Sequence, residues 1–232
     1  MIELCIPTYN ESAVIAESVH TVQEALKQTS LEWRILVADN GSTDNTVEVI
    51  EALRVPGVQV ISIKERGKGA ALIAAAQTSK ADIFGFIDAD LSADPAQIEE
   101  FVRHITDSNI DIVIGSRLLD KRLVQRGSLR SLSSQLFNML RRSMLGIKVV
   151  DSQCGFKVMN VHGRKLLAQC TEKGWFIDLE FLYRAEREGL TILELPIHWS
   201  ENRLSGHTSK LRIVADGFGA LRAMWRIRST VK

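Results

Sequence analysis

Cysteine is scarce in this sequence. Among 232 residues only Cys5, Cys154 and Cys170 occur, and no two of them have Cys-x-x-Cys spacing. An odd and unclustered set argues against a disulfide framework or a zinc site and favours a reducing compartment. No basic segment followed by an apolar run opens the sequence, so no signal peptide is predicted. The run of about 18 to 20 apolar residues that a membrane-spanning helix needs is also missing. We therefore expect a cytoplasmic protein.

An excess of charge of either sign is missing as well. The 29 Lys and Arg residues nearly balance the 28 Asp and Glu residues, which leaves a net charge of +1. This balance argues against a nucleic-acid polymer as the partner. The P-loop pattern G-x-x-x-x-G-K-[ST] is absent, and no G-x-G-x-x-G follows the first predicted strand. These absences count against a P-loop enzyme and a dinucleotide-binding fold.

Apolar runs alternate with amphipathic segments in the first half of the sequence. The runs that resemble strands cover residues 2–9, 33–39, 58–63, 82–88 and 111–117. The segments between them have helical periodicity and cover residues 11–29, 43–54, 67–79 and 94–108. Strands separated by helices predict crossover units, and continuous apolar strands predict that helices cover both faces of the sheet. The sequence therefore predicts an α/β fold with a mostly parallel sheet.

The second half of the sequence is less regular. A helix is predicted over residues 127–146, a turn leading into a strand over 151–160, helices over 162–171 and 177–189, and a strand over 190–200. No repeat, low-complexity linker or block of like charge divides the chain. We therefore predict one domain over residues 1–232.

Polar clusters follow four of the predicted strands. They read Pro-Thr-Tyr-Asn-Glu, Asp-Asn-Gly-Ser-Thr-Asp, Asp-Ala-Asp-Leu-Ser and Gly-Ser-Arg. In an open α/β sheet, ligands bind outside the carboxyl ends of the strands. The four clusters together predict a ligand site at this edge.

Two carboxylates one residue apart, Asp88 and Asp90, end the fourth predicted strand. Like charges at close range repel each other, and burial increases the cost. A hard divalent cation such as Mg²⁺ or Mn²⁺ would cancel the repulsion, and such an ion usually also binds phosphate oxygens. The alternative is a solvated loop in which Asp90 or Asp94 only caps the next helix.

Cationic residues are the second element of the predicted site. The segment Arg66–Ala71 places two glycines and Lys68 at the start of a helix, where backbone N–H groups favour an anion. The alternative is a glycine turn with a solvated lysine. Further cations that could bind phosphate through charge-assisted hydrogen bonds are Arg117, Arg130, Arg203 and Lys210.

These landmarks together resemble the family 2 glycosyltransferases with the GT-A fold, and within them the polyprenyl- or dolichyl-phosphate hexosyltransferases. The matching segments are IPTYNE, VADNGSTDNT, ERGKGAAL, FIDADLS, GSR, DSQCGFKV and HWSENRLSGHTSKL, which span nearly the whole chain. DSQCGFK and the W…SK ending are more similar to the glucosyl branch than to the mannosyl branch. The resemblance implies a nucleotide-sugar half over residues 1–117 and an acceptor half over 118–232.

The resemblance implies roles for individual residues on the donor side. Pro7, Tyr9 and Glu11 would line the nucleotide pocket, Asp39 would read the base, and Lys68 would lie near the nucleotide. Many relatives have Asp-Asp-Gly-Ser where this sequence has Asp39-Asn40-Gly41-Ser42, a departure that bears on base preference.

The resemblance also implies the catalytic and metal-binding residues. Asp88 and Asp90 would bracket Mg²⁺ or Mn²⁺, with Ser92 near it, and Asp151 falls where related enzymes place a carboxylate near the reacting centre. Asp88, Asp90 and Asp151 are therefore the predicted catalytic residues. The residues that would contact the donor diphosphate or the acceptor phosphate are Arg117, Arg130, Arg203 and Lys210.

The predicted reaction is inverting transfer of a hexose from a nucleotide sugar, with a UDP-sugar favoured over GDP-mannose, to a polyprenyl or dolichyl phosphate. A lipid phosphate is already dianionic at neutral pH and needs little base catalysis. A hydroxyl acceptor would need a carboxylate base, for which Asp151, Asp178 and Glu180 are candidates. Two further functions stay open, namely that of a sugar nucleotidyltransferase and that of a non-catalytic nucleotide-sugar sensor.

A lipid acceptor requires contact with a membrane that this sequence is not expected to span, although many relatives continue into transmembrane helices. The C-terminal segment predicts a basic amphipathic helix, which can lie in a membrane interface. Its apolar side carries Val214, Phe218, Leu221 and Trp225, and its basic side carries Arg212, Arg222 and Arg226. The segment 139–145 is a second candidate contact. The alternative is that both helices cover the core or a subunit interface.

Overall fold

The computed structural model describes residues 1–125, 140–200 and 213–231. The strands in these ranges are β1 (Ile2–Thr8), β2 (Trp33–Asp39), β3 (Val58–Ser62), β4 (Ile83–Ile87), β5 (Ile112–Ser116), β6 (Val124–Gln125), β7 (Phe156–Asn160), β8 (Ile192–Pro196) and β9 (Trp199–Ser200). The helices are α1 (Ile15–Lys27), α2 (Thr46–Leu53), α3 (Lys68–Thr78), α4 (Ile98–Asp107), α5 (Val161–Ala168), α6 (Ile177–Arg187) and α7 (Ile213–Thr230). Residues 140–145 are also helical.

Seven strands form one sheet in the order β3-β2-β1-β4-β7-β5-β8. The neighbouring pairs are parallel, except that β7 runs antiparallel to both β4 and β5. The predicted mostly parallel α/β sheet is therefore confirmed. The insertion of β7 between β4 and β5 was not predicted, because two successive crossover units would have placed those strands side by side.

The antiparallel direction of β7 determines what reaches the carboxyl edge of the sheet. Its first residue, Phe156, pairs with Ile87, the last residue of β4. The segment that enters β7 therefore lies beside the residues that leave β4. This pairing brings the Asp-Ser-Gln-Cys-Gly segment of the second half next to Asp88 of the first half.

Helices cover both faces of the sheet, as predicted. On one face α1 and α4 pack in a cluster that includes Val19, Leu26 and Phe101, and the ring of Phe101 stacks on Phe156 with the centroids 4.5 Å apart. On the other face α3, α5, α6 and α7 pack in a second cluster. Small side chains on α3 let this helix approach the sheet closely, and the buried ones include Ala71 and Ala75.

Three predictions on secondary structure need correction or fall outside the described ranges. The strand predicted over 190–200 is two strands, β8 and β9, and β9 pairs with β6 in a separate small sheet. The helix predicted over 94–108 begins with a 3₁₀ turn, Pro95–Gln97, capped by the Asp94 side chain. Of the helix predicted over 127–146, residues 126–139 lie outside the described residues. The division of function at residue 117 stays a prediction.

Part of the predicted second membrane contact, residues 139–145, is buried where the structure describes it. Arg141 is fully buried, and its guanidinium donates to the carbonyls of Ile147 and Val150, each at 3.2 Å. Leu145 is also buried in the core. Arg141 and Leu145 therefore pack inward, whereas Arg142 is exposed, and the membrane contact of this segment stays a prediction. In the ranges that the structure covers, no helix combines the length and the apolarity needed to cross a bilayer.

Candidate active site

Asp88 and Asp90 lie on a tight turn immediately after β4. The backbone N–H of Asp88 donates to the carbonyl of Gly155 at 3.2 Å, and the N–H of Leu91 donates to the carbonyl of Asp88 at 3.0 Å. Leu91 has a φ of 47°, a left-handed conformation that is unusual for a leucine. The N–H of Ser92 donates to Asp90 Oδ1 at 2.9 Å. The turn thus fixes the backbone of Asp88 and the direction of the Asp90 carboxylate.

Lys68, at the start of α3, supplies the positive charge that the two carboxylates require. Its Nζ lies 2.7 Å from Asp88 Oδ1, and its side chain is only 6% exposed while that of Asp88 is 33% exposed. The ammonium lies 5.7 Å from the ring centroid of Phe86 and 5.2 Å from that of Trp175, distances typical of cation–π contacts. Lys68 is therefore not the solvated lysine of the alternative interpretation.

The protonation states of this pair follow from burial and charge. Burial raises the pKa of the Asp88 carboxyl even though Lys68 opposes the change. Burial alone would lower the pKa of Lys68, but the charges of Asp88 and Asp178 outweigh it, and the pKa of Lys68 lies above its ordinary value. Lys68 is accordingly a full positive charge at neutral pH.

Asp178 joins Lys68 to a second buried lysine. Asp178 Oδ2 lies 3.6 Å from Lys68 Nζ, and its Oδ1 accepts a short hydrogen bond from Lys157 Nζ. Lys157 is on β7 and fully buried, and Asp178 is on α6 with 2% of its side chain exposed. Charges of alternating sign therefore run from Lys157 through Asp178 and Lys68 to Asp88.

The close approach of Gly155 to Asp88 explains why a glycine precedes β7. A Cβ atom at position 155 would lie 1.9 Å from Asp88 Oδ2, well inside any allowed contact. The missing side chain leaves the space that the carboxylate occupies.

Asp151 and Arg117 form the other charged pair of the site. The Arg117 guanidinium donates from Nε to Asp151 Oδ2 and from Nη2 to Oδ1, both at 2.7 Å, and the Arg117 backbone N–H donates to Oδ2 at 2.9 Å. Burial would raise the pKa of Asp151, but Arg117 outweighs it and holds that pKa below its usual value. Glu194 accepts from the backbone N–H groups of Val150 and Asp151, which fixes the segment. The catalytic role of Asp151 stays a prediction.

The predicted nucleotide-pocket residues lie at the carboxyl ends of the neighbouring strands β1 and β2. Pro7 is partly buried on β1 and pairs with Ala38, and Tyr9 follows β1 with the Arg66 guanidinium 5.8 Å from its ring centroid. Glu11 donates its backbone N–H to Thr46 Oγ1 at 3.0 Å.

Asp39, the predicted base-reading residue, closes the turn after β2. Its carboxylate accepts from the backbone N–H groups of Gly41 and Ser42 at 3.2 to 3.4 Å. Asp39 is itself buried, with 3% exposed. The structure thus brings it to the same edge as Pro7 and Tyr9, and the contact with the base stays a prediction.

Asn40, where the sequence departs from the family pattern, has a structural function. Its amide nitrogen donates to the carbonyl of Glu65, and its amide oxygen accepts from the backbone N–H of Gly67. An aspartate could accept from Gly67 but could not donate to Glu65. Asn40 therefore holds the loop that leads to Lys68.

The anion site predicted at the N-terminus of α3 needs correction. The backbone N–H of Gly69 donates to the carbonyl of Gly174 at 3.1 Å, and that of Ala70 donates to the carbonyl of Lys173 at 3.0 Å. Two of the amides that would bind an anion are therefore occupied. A Cβ at Gly69 would lie 2.1 Å from the carbonyl oxygen of Glu172, so this glycine serves close packing of the 172–174 loop.

Three predicted site residues, Arg130, Arg203 and Lys210, lie outside the described residues. Ser92 is buried beside the aspartate turn, and its carbonyl accepts from the backbone N–H of Ser200 at 2.8 Å, so its metal contact stays a prediction. The site also contains residues for which the sequence predicted no role, namely Gly155, Lys157 and Trp175. A lysine inside a buried strand was the signal available for Lys157.

The donor set at Asp88 and Asp90 fits a divalent cation that enters together with a nucleotide. Throughout residues 1–125, 140–200 and 213–231, no group of three or more His, Cys, Asp and Glu side chains could hold a metal ion. Mg²⁺ is commonly bound by one or two carboxylates plus substrate phosphates, not by an all-protein cage. The Lys68 ammonium at Asp88 also shows that this carboxylate favours a cation.

Comparison with known proteins identifies the family. The model of the family described as "Glycosyl transferase family 2" matches residues 3–164. The chain belongs to glycosyl transferase family 2. The prediction of a glycosyltransferase is thereby confirmed at the level of the family.

Curated relatives of this family member are named as glycosyltransferases, and one of the two described below is named for dolichyl phosphate. The chain is 30% identical over 236 residues to "Glycosyltransferase AglD" of Haloferax volcanii, a match that covers 97% of this chain and 37% of that protein. It is 26% identical over 252 residues to "Dolichyl-phosphate beta-glucosyltransferase" of Dictyostelium discoideum, covering 98% of this chain and 77% of that protein. The chain thus spans little more than a third of the AglD relative.

Solved structures confirm the GT-A fold. Glucosyl-3-phosphoglycerate synthase of Mycobacterium tuberculosis in complex with phosphoglyceric acid superposes with a TM-score of 0.69 at 24% identity, over 98% of this chain and 78% of that one. Another structure of that synthase, with a TM-score of 0.69 at 23% identity and the same coverage, contains Mn²⁺, UDP and glucosyl-3-phosphoglycerate. At 23 to 24% identity, these comparisons support the fold alone.

Gly155→Ala should weaken binding of UDP in the presence of Mn²⁺, because the new methyl group would displace the Asp88 carboxylate. Overpacking typically costs about 1 to 3 kcal/mol, so a loss of roughly 5- to 150-fold in affinity is expected. Isothermal titration calorimetry measures it. Gly219→Ala is the matched control, since its Cβ would meet only Phe176 at an ordinary 3.7 Å. Equal affinities of the two variants would contradict the role of Gly155.

Proposed function

We propose that this family 2 glycosyltransferase transfers a hexose, with inversion, from a nucleotide sugar to a polyprenyl or dolichyl phosphate. A UDP-sugar is the favoured donor and GDP-mannose the alternative. The observation that carries the acceptor assignment is that each of the three carboxylates considered as catalytic bases is already paired with a cation. The name of the Dictyostelium discoideum relative, dolichyl-phosphate beta-glucosyltransferase, supports the same assignment.

The donor side of the proposal rests on the aspartate turn. Asp88 and Asp90 would hold Mg²⁺ or Mn²⁺, the two ions present in structures of the mycobacterial synthase with UDP. A divalent cation bound there would neutralise the diphosphate that leaves as an anion, and stabilisation of developing charge is usually the largest catalytic term. Lys68, beside the same turn, would add a fixed positive charge near the leaving group.

The acceptor side rests on three buried carboxylates. Both oxygens of Asp151 accept from Arg117, and Asp178 lies between Lys157 and Lys68. A general base must reach the acceptor hydroxyl through a hydrogen bond, and both of these carboxylates already use their oxygens on cations.

Glu180, the third candidate base, is also occupied. Its carboxylate accepts from Arg184 Nε at 2.8 Å and from the backbone N–H groups of Thr171 and Glu172. None of the three is therefore suited to deprotonate a hydroxyl. A lipid phosphate avoids this need, because its second pKa is about 6 and it is mostly dianionic at neutral pH. Cations would hold it instead, for which Arg130, Arg203 and Lys210 stay the predicted candidates.

The proposed reaction predicts strict preference for a phosphorylated lipid. With a labelled UDP-hexose and Mn²⁺, polyprenyl phosphate should be glycosylated at least about 100-fold faster than the corresponding polyprenol, because a hydroxyl acceptor would lack the base that it needs.

Asp88→Ala and Asp90→Ala should each lower the rate by roughly 10²- to 10³-fold, the usual cost of losing one electrostatic stabiliser. Thin-layer chromatography of labelled lipid measures transfer.

The same assay separates the candidate functions. Release of pyrophosphate from a nucleoside triphosphate would indicate a nucleotidyltransferase, and binding of the UDP-sugar without turnover would indicate a sensor. Polyprenol as good an acceptor as its phosphate, or full activity of both aspartate variants in excess chelator, would refute the proposal. Thr106→Ala, an exposed change on α4, is the control variant.

Helix α7 supports contact with the membrane that would carry such a lipid. One side of the helix packs on the core through Ala220, Ala223, Met224 and Ile227. The other side leaves Trp225 69% exposed. An exposed tryptophan on a helix that is already anchored by its opposite face is typical of a membrane-interface contact.

The charges on α7 are arranged partly as predicted. Arg222 is exposed, and Leu221 is 39% exposed beside it. Arg226 was predicted for the basic membrane face but pairs with Glu172. The side chains of Val214 and Phe218, and all of Arg212, lie outside the described residues. Leu221, Arg222 and Trp225 are therefore our candidates for the membrane contact.

Trp225→Ala and Arg222→Ala should each reduce co-sedimentation with anionic liposomes, and added salt should reduce it further for the wild-type chain because screening weakens the arginine contribution. Arg103→Ala is the matched control, since this exposed arginine is on α4 on the opposite face of the sheet. Binding of UDP should be unchanged in all three variants. If Trp225→Ala and Arg103→Ala sediment equally, α7 is not the membrane contact.

A further inference from the structure

Lys157 is an unusual residue for the interior of a sheet. It is on β7, between β4 and β5, and its side chain is fully buried. Its ammonium donates to the carbonyls of Ser152 at 3.2 Å and Cys154 at 2.6 Å and to Asp178. A buried ammonium with three oxygen acceptors is a satisfied charge. Lys157 therefore holds the Asp178 carboxylate in place.

Asp178 links Lys157 to the candidate metal site. Lys157 fixes its Oδ1, while its Oδ2 faces the ammonium of Lys68 at 3.6 Å. Lys68 in turn lies 2.7 Å from Asp88. Lys68 is thus shared between the buried carboxylate of Asp178 and the partly exposed carboxylate of Asp88.

We infer that Lys68 acts as a built-in countercharge which competes with the divalent cation for Asp88, and that Asp178 is a positioning residue which keeps Lys68 beside the site and pairs with it when the cation takes Asp88. The inference rests on the proposed function in one respect, namely that a cation binds at Asp88 and Asp90. A metal ligand oxygen cannot keep an ammonium at 2.7 Å and accept a divalent cation without strong repulsion between the two positive charges.

The surroundings of Lys68 determine which groups can pair with its ammonium once a divalent cation binds Asp88. The side chain is enclosed by the rings of Phe86 and Trp175 and is almost fully buried. An unpaired buried charge is strongly unfavourable, so the ammonium must keep a carboxylate partner. Asp178 provides that partner, and the phosphates of an entering nucleotide would provide another. The site therefore disfavours a cation alone and accepts a cation that arrives with a nucleotide.

The test is the affinity of the full chain for Mn²⁺ without any nucleotide, measured by electron paramagnetic resonance titration. Lys68→Met removes the competing charge and should bind Mn²⁺ about tenfold or more tightly than the wild-type chain. Asp178→Asn removes a negative charge and leaves Lys68 with Asp88 as its carboxylate partner, so it should bind Mn²⁺ about tenfold or more weakly. The two variants are thus expected to change affinity in opposite directions.

Glu180→Gln is the matched control, because Glu180 is on the same helix, is equally buried and pairs with Arg184 instead of Lys68. Its Mn²⁺ affinity should stay within about twofold of the wild-type value, whatever happens to its thermal unfolding temperature. If Asp178→Asn does not fold, Lys68→Met decides alone, since it leaves the pair of Lys157 and Asp178 intact.

The outcomes separate this inference from the proposed function. Mn²⁺ affinity of Lys68→Met equal to or weaker than that of the wild-type chain would overturn the inference while leaving transfer to a lipid phosphate untouched. A lower unfolding temperature of Asp178→Asn with unchanged Mn²⁺ affinity would also overturn it, because Asp178 would then be purely structural. If neither the wild-type chain nor Lys68→Met binds Mn²⁺, with UDP or without it, both the inference and the metal role in the proposed function fail.

Discussion

Three carboxylates at the carboxyl edge of the sheet are each paired with a cation, and the site is built around these ion pairs. Removing charges from water costs several kcal/mol per ion unless a partner and further hydrogen bonds compensate. Asp88 meets the requirement through Lys68, Asp151 through Arg117 and Asp178 through Lys157. Each cation comes from a different element than its partner, so the ion pairs also fix how α3, α6, β5 and β7 lie around the site.

The antiparallel strand β7 makes this arrangement possible. Because β7 begins where β4 ends, Gly155 contacts Asp88, and Lys157 contacts Asp178 on α6. A parallel strand in the same position would have delivered its carboxyl end to this edge and its entry segment to the opposite one. The same reversal leaves Asp151 beside Arg117, which follows β5. One strand direction therefore explains contacts that join the two halves of the chain.

Much of this architecture could be predicted from the sequence, and the remainder depends on long-range pairing. The first five strands and four helices follow from local periodicity, and the ligand edge follows from the polar residues after each strand. No sequence pattern within Phe156–Asn160 predicts that this strand pairs with β4 and β5 in the antiparallel direction. The role of Asn40 could not be predicted either, because only the fold brings its partners Glu65 and Gly67 near it.

The charge pairs that stabilise the site also limit its chemistry. A carboxylate acts as a general base when its pKa approaches the working pH, as it does when burial is not offset by a cation. Arg117 shifts the pKa of Asp151 in the opposite direction, and Asp178 is held by two lysines. Asp88 combines a raised pKa with partial exposure, but its place is on the predicted metal turn. These surroundings support the proposal of an acceptor that arrives already ionised, as a phosphate does, and that need not lose a proton in the site.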